Sequence, residues 1–150
     1  MEKNDTFDLW QFLPYLLNQA AEASSLEFQQ VYKERYGLLR TEWRVLFHLG
    51  IYERITAKEI CEKANIHKTK VSRAVQKLAQ RRYLTRATDA NDRRHEWLNL
   101  TSTGRAVFED LYTYAKNYDV KLTQALDPNE ARILRTALIK LAKIDLRNWA

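Results

Sequence analysis

The 150-residue chain holds one cysteine, two prolines and three glycines. A single cysteine excludes an intramolecular disulfide framework and suits a reducing compartment. So little proline and glycine, set among many leucines, alanines, lysines, arginines and glutamates, leaves long stretches free to run as helix. No window approaches about 18 uncharged apolar residues, so no membrane span is expected. The opening Glu2-Lys3-Asn4-Asp5 lacks the basic patch and apolar run of a secretory signal. These absences read as a cytoplasmic protein with no membrane partner. Also missing are a glycine-rich phosphate loop, a His/Cys set at metal-ligand spacing and a nucleophile with a plausible base, so no enzyme, cofactor or metal site is expected. At 45% hydrophobic residues, the length suits one domain spanning 1–150.

What is present is an uneven distribution of charge. Residues 1–34 carry two lysines against six acids, a net of −4; residues 35–105 carry sixteen Lys/Arg against seven acids, a net of +9; residues 106–150 carry seven against six, a net of +1. A basic middle between an acidic start and a near-neutral end points to a localised face for a polyanion.

Apolar periodicity divides the chain into helices. Residues 7–12 are a short lead-in, and a first helix over 13–35 carries Leu16, Leu17, Ala20, Phe28, Val31 and Tyr32 at helical spacing, with Gly37 as its stop. A second helix covers 41–49 with Gly50 closing it. Thr56-Ala-Lys-Glu59 is a capping box that opens a third helix ending near Asn65, its buried stripe made of Ala57, Ile60, Cys61 and Ala64. Cys61 thus reads as a small core hydrophobe. After the turn Asn65-Ile66-His67, a fourth helix over 68–82 turns Val71, Ala74, Val75 and Leu78 inward. Facing out are Lys68, Thr69, Lys70, Ser72, Arg73, Gln76, Lys77 and Arg81, unbroken by any acid. An ordinary solvated helix mixes in Glu or Asp for i,i+4 pairing; a row of donors is what a helix entering a DNA major groove needs. Residues 84–88 and 95–100 then form a two-stranded hairpin whose tip carries Arg93 and Arg94, placed to reach a minor groove.

In this order the segments TEWRVLFHL (41–49), IHKTKVSRAVQKL (66–78) and DRRHEWLNLTSTG (92–104) resemble the MarR family of winged helix–turn–helix regulators; the last matches the family's D-x-R wing and L-x-L-T-x-x-G entry to the next helix. The resemblance implies a mainly α fold with a small β-hairpin wing and a helical dimerisation hub. It divides the chain into a winged helix–turn–helix lobe at 37–100 and dimerisation segments at 7–36 and 101–150. By the same likeness Arg94 enters the minor groove, steadied by Asp92, while Thr69, Lys70 and Arg73 take groove-facing positions. His67 departs from the family's Ser-like helix cap, and Arg82 stands where a glycine usually closes the recognition helix.

The flanking segments fit dimerisation. Thr101 caps a helix of about 25 residues whose seam includes Val107, Phe108, Leu111, Ala115, Tyr118, Leu122 and Ala125; Asp127-Pro-Asn-Glu130 opens a last helix with Ile133, Leu134, Ala137, Leu138, Leu141 and Ile144 inward. The expected function is a sequence-specific transcriptional regulator, a repressor, binding a pseudo-palindromic operator as a homodimer and released by a small aromatic effector. The likeness implies an effector pocket, with Trp10, Tyr15, Tyr36, Trp43 and His48 as its candidates. The alternatives are an oxidant or ligand sensor triggered through Cys61 or the aromatic cleft, and a non-specific DNA-binding protein.

Overall fold

The computed structural model describes residues 6–144. Its described elements run as a short 3-10 turn (Leu9–Gln11), α1 (Leu13–Tyr36), α2 (Arg40–Tyr52), β1 (Arg54–Thr56), α3 (Ala57–Ala64), α4 (Lys68–Gln80), β2 (Leu84–Thr88), β3 (Glu96–Leu100), α5 (Ser102–Thr123) and α6 (Pro128–Ala142). The chain is mainly α with a small antiparallel sheet, as the sequence predicts, and it separates into two compact units between Thr113 and Tyr114.

In the first unit, Leu38, Val45, Leu46, Leu49, Ile60, Val71, Val75, Leu78, Leu98 and Leu111 are fully or almost fully buried. These residues come from the α1–α2 connection, α2, α3, α4, β3 and α5, so the helix–turn–helix and the sheet share one core. Pro14 sits in the first turn of α1, where no amide hydrogen is needed, and Gly37 ends the helix in the left-handed region at φ 61°. Three expectations need correction here. Gly50 does not close α2, which runs on to Tyr52 and ends at Glu53 (φ 60°). Gly50 is instead a point of close approach: a Cβ there would collide with the Phe108 ring of α5. The fourth helix stops at Gln80, not at residue 82, and the sheet has three strands in the order β1-β3-β2. The missed strand is three residues long, too short to show an alternating pattern, and its pairing of Ile55 with Leu98 places both in the core.

The second unit holds the end of α5 and all of α6. Asp127 accepts from the Glu130 amide at 2.8 Å and Glu130 reaches back to the Asp127 amide at 3.1 Å, with Pro128 in the first turn. Arg135 of α6 bonds Asp119 of α5 at 2.7 Å. The apolar residues expected to face inward on α6 do not do so in the single chain: Ile133, Leu134, Leu138, Leu141 and Ile144 are all exposed.

Candidate nucleic-acid interface

The site is built outward from α4. The capping box of α3 forms as expected: Thr56 Oγ1 accepts from the Glu59 amide at 3.2 Å, and Glu59 accepts from the Thr56 amide at 2.9 Å. Asn65 then reverses the chain in the left-handed region, φ 51°. His67 performs the cap that a Ser-like residue would, its Nδ1 accepting from the Thr69 amide at 3.2 Å. From that start Val71, Ala74, Val75 and Leu78 are buried, and Lys68, Thr69, Lys70, Ser72, Arg73, Gln76 and Lys77 are exposed together. The acid-free donor face is therefore accessible along the helix.

Arg81 does not belong to it. Its guanidinium donates to the backbone carbonyls of Tyr36 and, at 2.9 Å, Gly37, at the C-terminus of α1. There it satisfies carbonyls that a helix end leaves without partners. The close of α4 is a Schellman turn, with Arg82 N–H donating to Ala79 O and Tyr83 N–H to Leu78 O, each at 2.9 Å. Arg82 occupies the left-handed position at φ 62°, which is the conformation a glycine would adopt without strain. Thr101 locks this turn to α5, its hydroxyl donating to Arg82 O at 2.6 Å while accepting from the Gly104 amide at 3.0 Å.

The wing tip is organised by two aspartates. Asp92 Oδ1 accepts from Arg94 Nε at 3.0 Å and from the Arg94 amide at 3.1 Å, and Oδ2 accepts from Arg94 Nη2 at 3.1 Å. These bonds hold the Asp92 carboxyl below the usual carboxylate range. Arg94 is nonetheless 89% exposed, so the pair presents a fixed cation to solvent. Asp89 accepts from the Asn91 amide at 2.8 Å and from Trp97 Nε1 at 3.1 Å, and is likewise held low, chiefly by the Asn91 bond. Arg93 is exposed beside them. Behind the wing, Arg86 pairs with Glu96.

Between α3, α4 and the wing lies an open cleft of about 830 Å³, walled by Lys58, Cys61, Lys68, Ser72, Arg86 and Arg94 among others. Cys61 is half-buried and lines this cleft, so it is less enclosed than a core residue. Lys58 is a further cation on this cleft that the sequence reading does not single out. The signal was the capping box itself, which puts residue 58 in the exposed first turn of α3.

Each of the five candidate effector residues has contacts of its own. Trp10 and Tyr15 pack on each other, ring centres 5.3 Å apart. Trp43 joins Phe28, Tyr32 and Phe47 in an aromatic cluster. His48 stacks with Tyr52 and bonds the Arg44 carbonyl at 2.7 Å. Tyr36 donates to Asp110 at 2.5 Å, and burial together with that carboxylate pushes its phenol up to about 12. Arg35 completes the tie to Asp110 at 3.1 Å.

Comparison with known proteins adds the decisive observation. The MarR family model matches residues 36–95. The MarR family transcriptional regulator SPO1453 from Silicibacter pomeroyi DSS-3 is 32% identical, with 91% of this chain and 99% of that one covered and a TM-score of 0.76. The chain belongs to the MarR family. As a MarR-family transcriptional regulator it also resembles the HTH-type transcriptional regulator YwaE of Bacillus subtilis strain 168, 22% identical over 126 residues that make up 84% of this chain and 74% of that protein. In fold it matches Bordetella bronchiseptica BpsR, whose DNA binding is regulated by 6-hydroxynicotinic acid, with a TM-score of 0.85, 23% identity, and coverage of 93% and 99%. These relatives are regulators and not enzymes. No described helix of this MarR-family chain is long and apolar enough to cross a membrane.

Proposed function

We propose that this protein is a homodimeric repressor that reads a pseudo-palindromic operator with α4 and grips the flanking minor groove with Arg94. The observation that carries the reading is the exposed, acid-free row from Lys68 to Lys77, beside a wing cation already fixed by its own aspartate. Arg73, Lys68 and Lys70 supply bidentate or phosphate-directed cations; Thr69, Ser72 and Gln76 supply neutral partners for base edges. Asp92, Arg93 and Arg94 form the wing contact. The lobe at 37–100 does the reading, and segments 7–36 and 101–150 hold two copies so that their recognition helices lie roughly 34–36 Å apart, one turn of DNA.

The test is a genome-fragment binding selection with purified protein at physiological salt, followed by footprinting. A recovered site with two-fold symmetry supports the reading, and fragments without a shared motif sink it in favour of non-specific binding. With that site in hand, Arg94→Ala weakens binding about tenfold or more while the dimer stays folded. An unchanged affinity removes Arg94 from the DNA.

A small aromatic acid is proposed as the releasing effector. Two proteins of similar fold support this class: NadR, solved in complex with 4-hydroxyphenylacetate, and BpsR with its 6-hydroxynicotinic acid. Trp43, half-buried at the edge of the Phe28–Tyr32–Phe47 cluster, is the best placed of the five candidates to stack on such a ring. Hydroxylated benzoates and phenylacetates are screened for release of the operator, and a Trp43→Ala chain that still responds moves the pocket elsewhere.

A further inference from the structure

On the face of the sheet that turns away from the buried Ile55 and Leu98, a run of contacts joins the wing to β1. The register pairs Arg54 with Asn99 and Thr56 with Trp97, so these side chains share one face, while Ile55 and Leu98 occupy the buried one. On the outer face the Arg54 guanidinium lies 4.3 Å from the centre of the Trp97 ring. Trp97 Nε1–H in turn donates to Asp89 Oδ2 at 3.1 Å. The other oxygen of Asp89 holds the Asn91 amide, and the Asp89 amide donates to His95 O at 2.9 Å. Asp89 therefore belongs to both structures at once: one oxygen shapes the turn, and the other ties the turn to the central strand.

A two-stranded ribbon twists readily when only its base is held, and it carries that motion to whatever sits at its tip. Here the base is β1, which leads directly into the Thr56 cap of α3 and so into the helix–turn–helix. The chain of contacts Arg54–Trp97–Asp89 thus runs from the frame that fixes α4 to the loop that carries Arg94. None of the three lies on the exposed face of α4.

We propose that Trp97 is the positioning residue of the wing: stacked under Arg54 and bonded to Asp89, it holds the ribbon at the angle where Arg94 meets the minor groove, without itself touching DNA. The inference rests on the DNA-binding reading above. Fixing that angle beforehand removes ordering that binding would otherwise have to impose.

Trp97→Phe deletes the N–H donor and keeps a ring for Arg54. Its affinity for a duplex selected from a randomised library by the wild-type protein is measured alone and in the Arg94→Ala and Arg73→Ala backgrounds. The expected loss is about three- to tenfold in the wild-type background, none beyond that of Arg94→Ala in the second, and a full multiplicative loss in the third, because coupled sites fail to add and independent ones do not. Equal losses in all three backgrounds, or no loss at all, overturn the inference. Arg94→Ala without effect overturns the wing reading itself, so the two failures are distinguishable. If Trp97→Phe fails to fold, Asp89→Asn goes through the same cycle, since it keeps one side-chain oxygen for the Asn91 turn and loses the acceptor for Trp97.

Discussion

Helices α4 and α6 are nearly matched in length, 13 and 15 residues, and both carry an apolar stripe at helical spacing, yet they end in opposite conditions. On α4 the stripe is gone from water: Val71 and Leu78 are 0% exposed. On α6 Ile133 remains 52% exposed, Leu138 40% and Ile139 57%. The first helix finds its partners within its own chain and shows solvent a row of cations. The second shows solvent the residues that would otherwise make a core, and each square ångström left wet forgoes about 25 cal/mol. One amphipathic pattern is complemented by an internal core; the other stays uncovered in the single chain, and it is the face that the proposed dimer would bury.

The sharpest test of this contrast is the paired truncation of one leucine from each helix. Leu78→Ala, in the shared core, is expected to destabilise the lobe by about 2–5 kcal/mol, read as a lower denaturation midpoint at unchanged slope. The corresponding change at Leu138 costs much less in a dilute monomer, where the side chain is already partly hydrated. A Leu138→Ala chain that loses as much as Leu78→Ala at every protein concentration breaks the comparison.

Next in size is the effect of a charge on α6. Leu138→Glu is expected to weaken self-association by about a hundredfold, on the order of 2–3 kcal/mol for an unpaired charge at an apolar contact, while circular dichroism remains that of the folded lobe. Sedimentation across a dilution series measures it. Self-association at wild-type strength removes this face of α6 from any dimer contact.

The same contrast explains how much of the molecule was legible in its sequence. The helix–turn–helix could be read because its signals are local: a capping box four residues long, an i, i+3, i+4, i+7 stripe, and a missing acid. Long-range contacts were opaque. Gly50 looks like a helix stop in one dimension, and only the ring of Phe108, fifty-eight positions later, reveals why it has no side chain. β1 was missed because three residues are too few to alternate. The count of basic residues in the middle segment also overstated what faces DNA. Arg35 is tied to Asp110, Arg44 donates to the Ala64 carbonyl at 2.8 Å, Arg54 covers Trp97, Arg86 pairs with Glu96, and Arg105 donates to the Gly50 carbonyl at 3.1 Å. Composition records a charge but not which carbonyl, carboxylate or ring it already faces.

Lys77 and Arg81, one turn apart, turn that point into a measurement. Both lie on the exposed side of the helix end, but Arg81 is engaged with the α1 carbonyls. Lys77→Ala is expected to lower the slope of log affinity against log salt by about one unit, the change that follows when a single phosphate is no longer neutralised. Arg81→Ala leaves the slope unchanged and instead lowers stability by about 1 kcal/mol, the scale of a surface cap to helix carbonyls. A reduced slope for Arg81→Ala would mean that its side chain leaves Tyr36 and Gly37 when DNA binds.

The smallest expected effect tests the turn on which the recognition helix ends. Arg82 holds φ 62°, a conformation that crowds any Cβ and that glycine adopts freely. The Schellman bonds to Ala79 and Leu78 and the Thr101 hydroxyl over-determine the turn, which is how a non-glycine residue is kept there. Arg82→Gly relieves the crowding but also loosens the unfolded chain, so the two contributions oppose one another. The net gain is about 0.5–1 kcal/mol if relief dominates, seen as a higher melting temperature. Arg82→Ala separates the contributions, since it keeps the Cβ and discards only the guanidinium. A chain stabilised by glycine and unaffected by alanine identifies backbone strain as the cost at this position. Stability lowered in both variants means that the Arg82 side chain, and not only its backbone, holds the end of α4 in place.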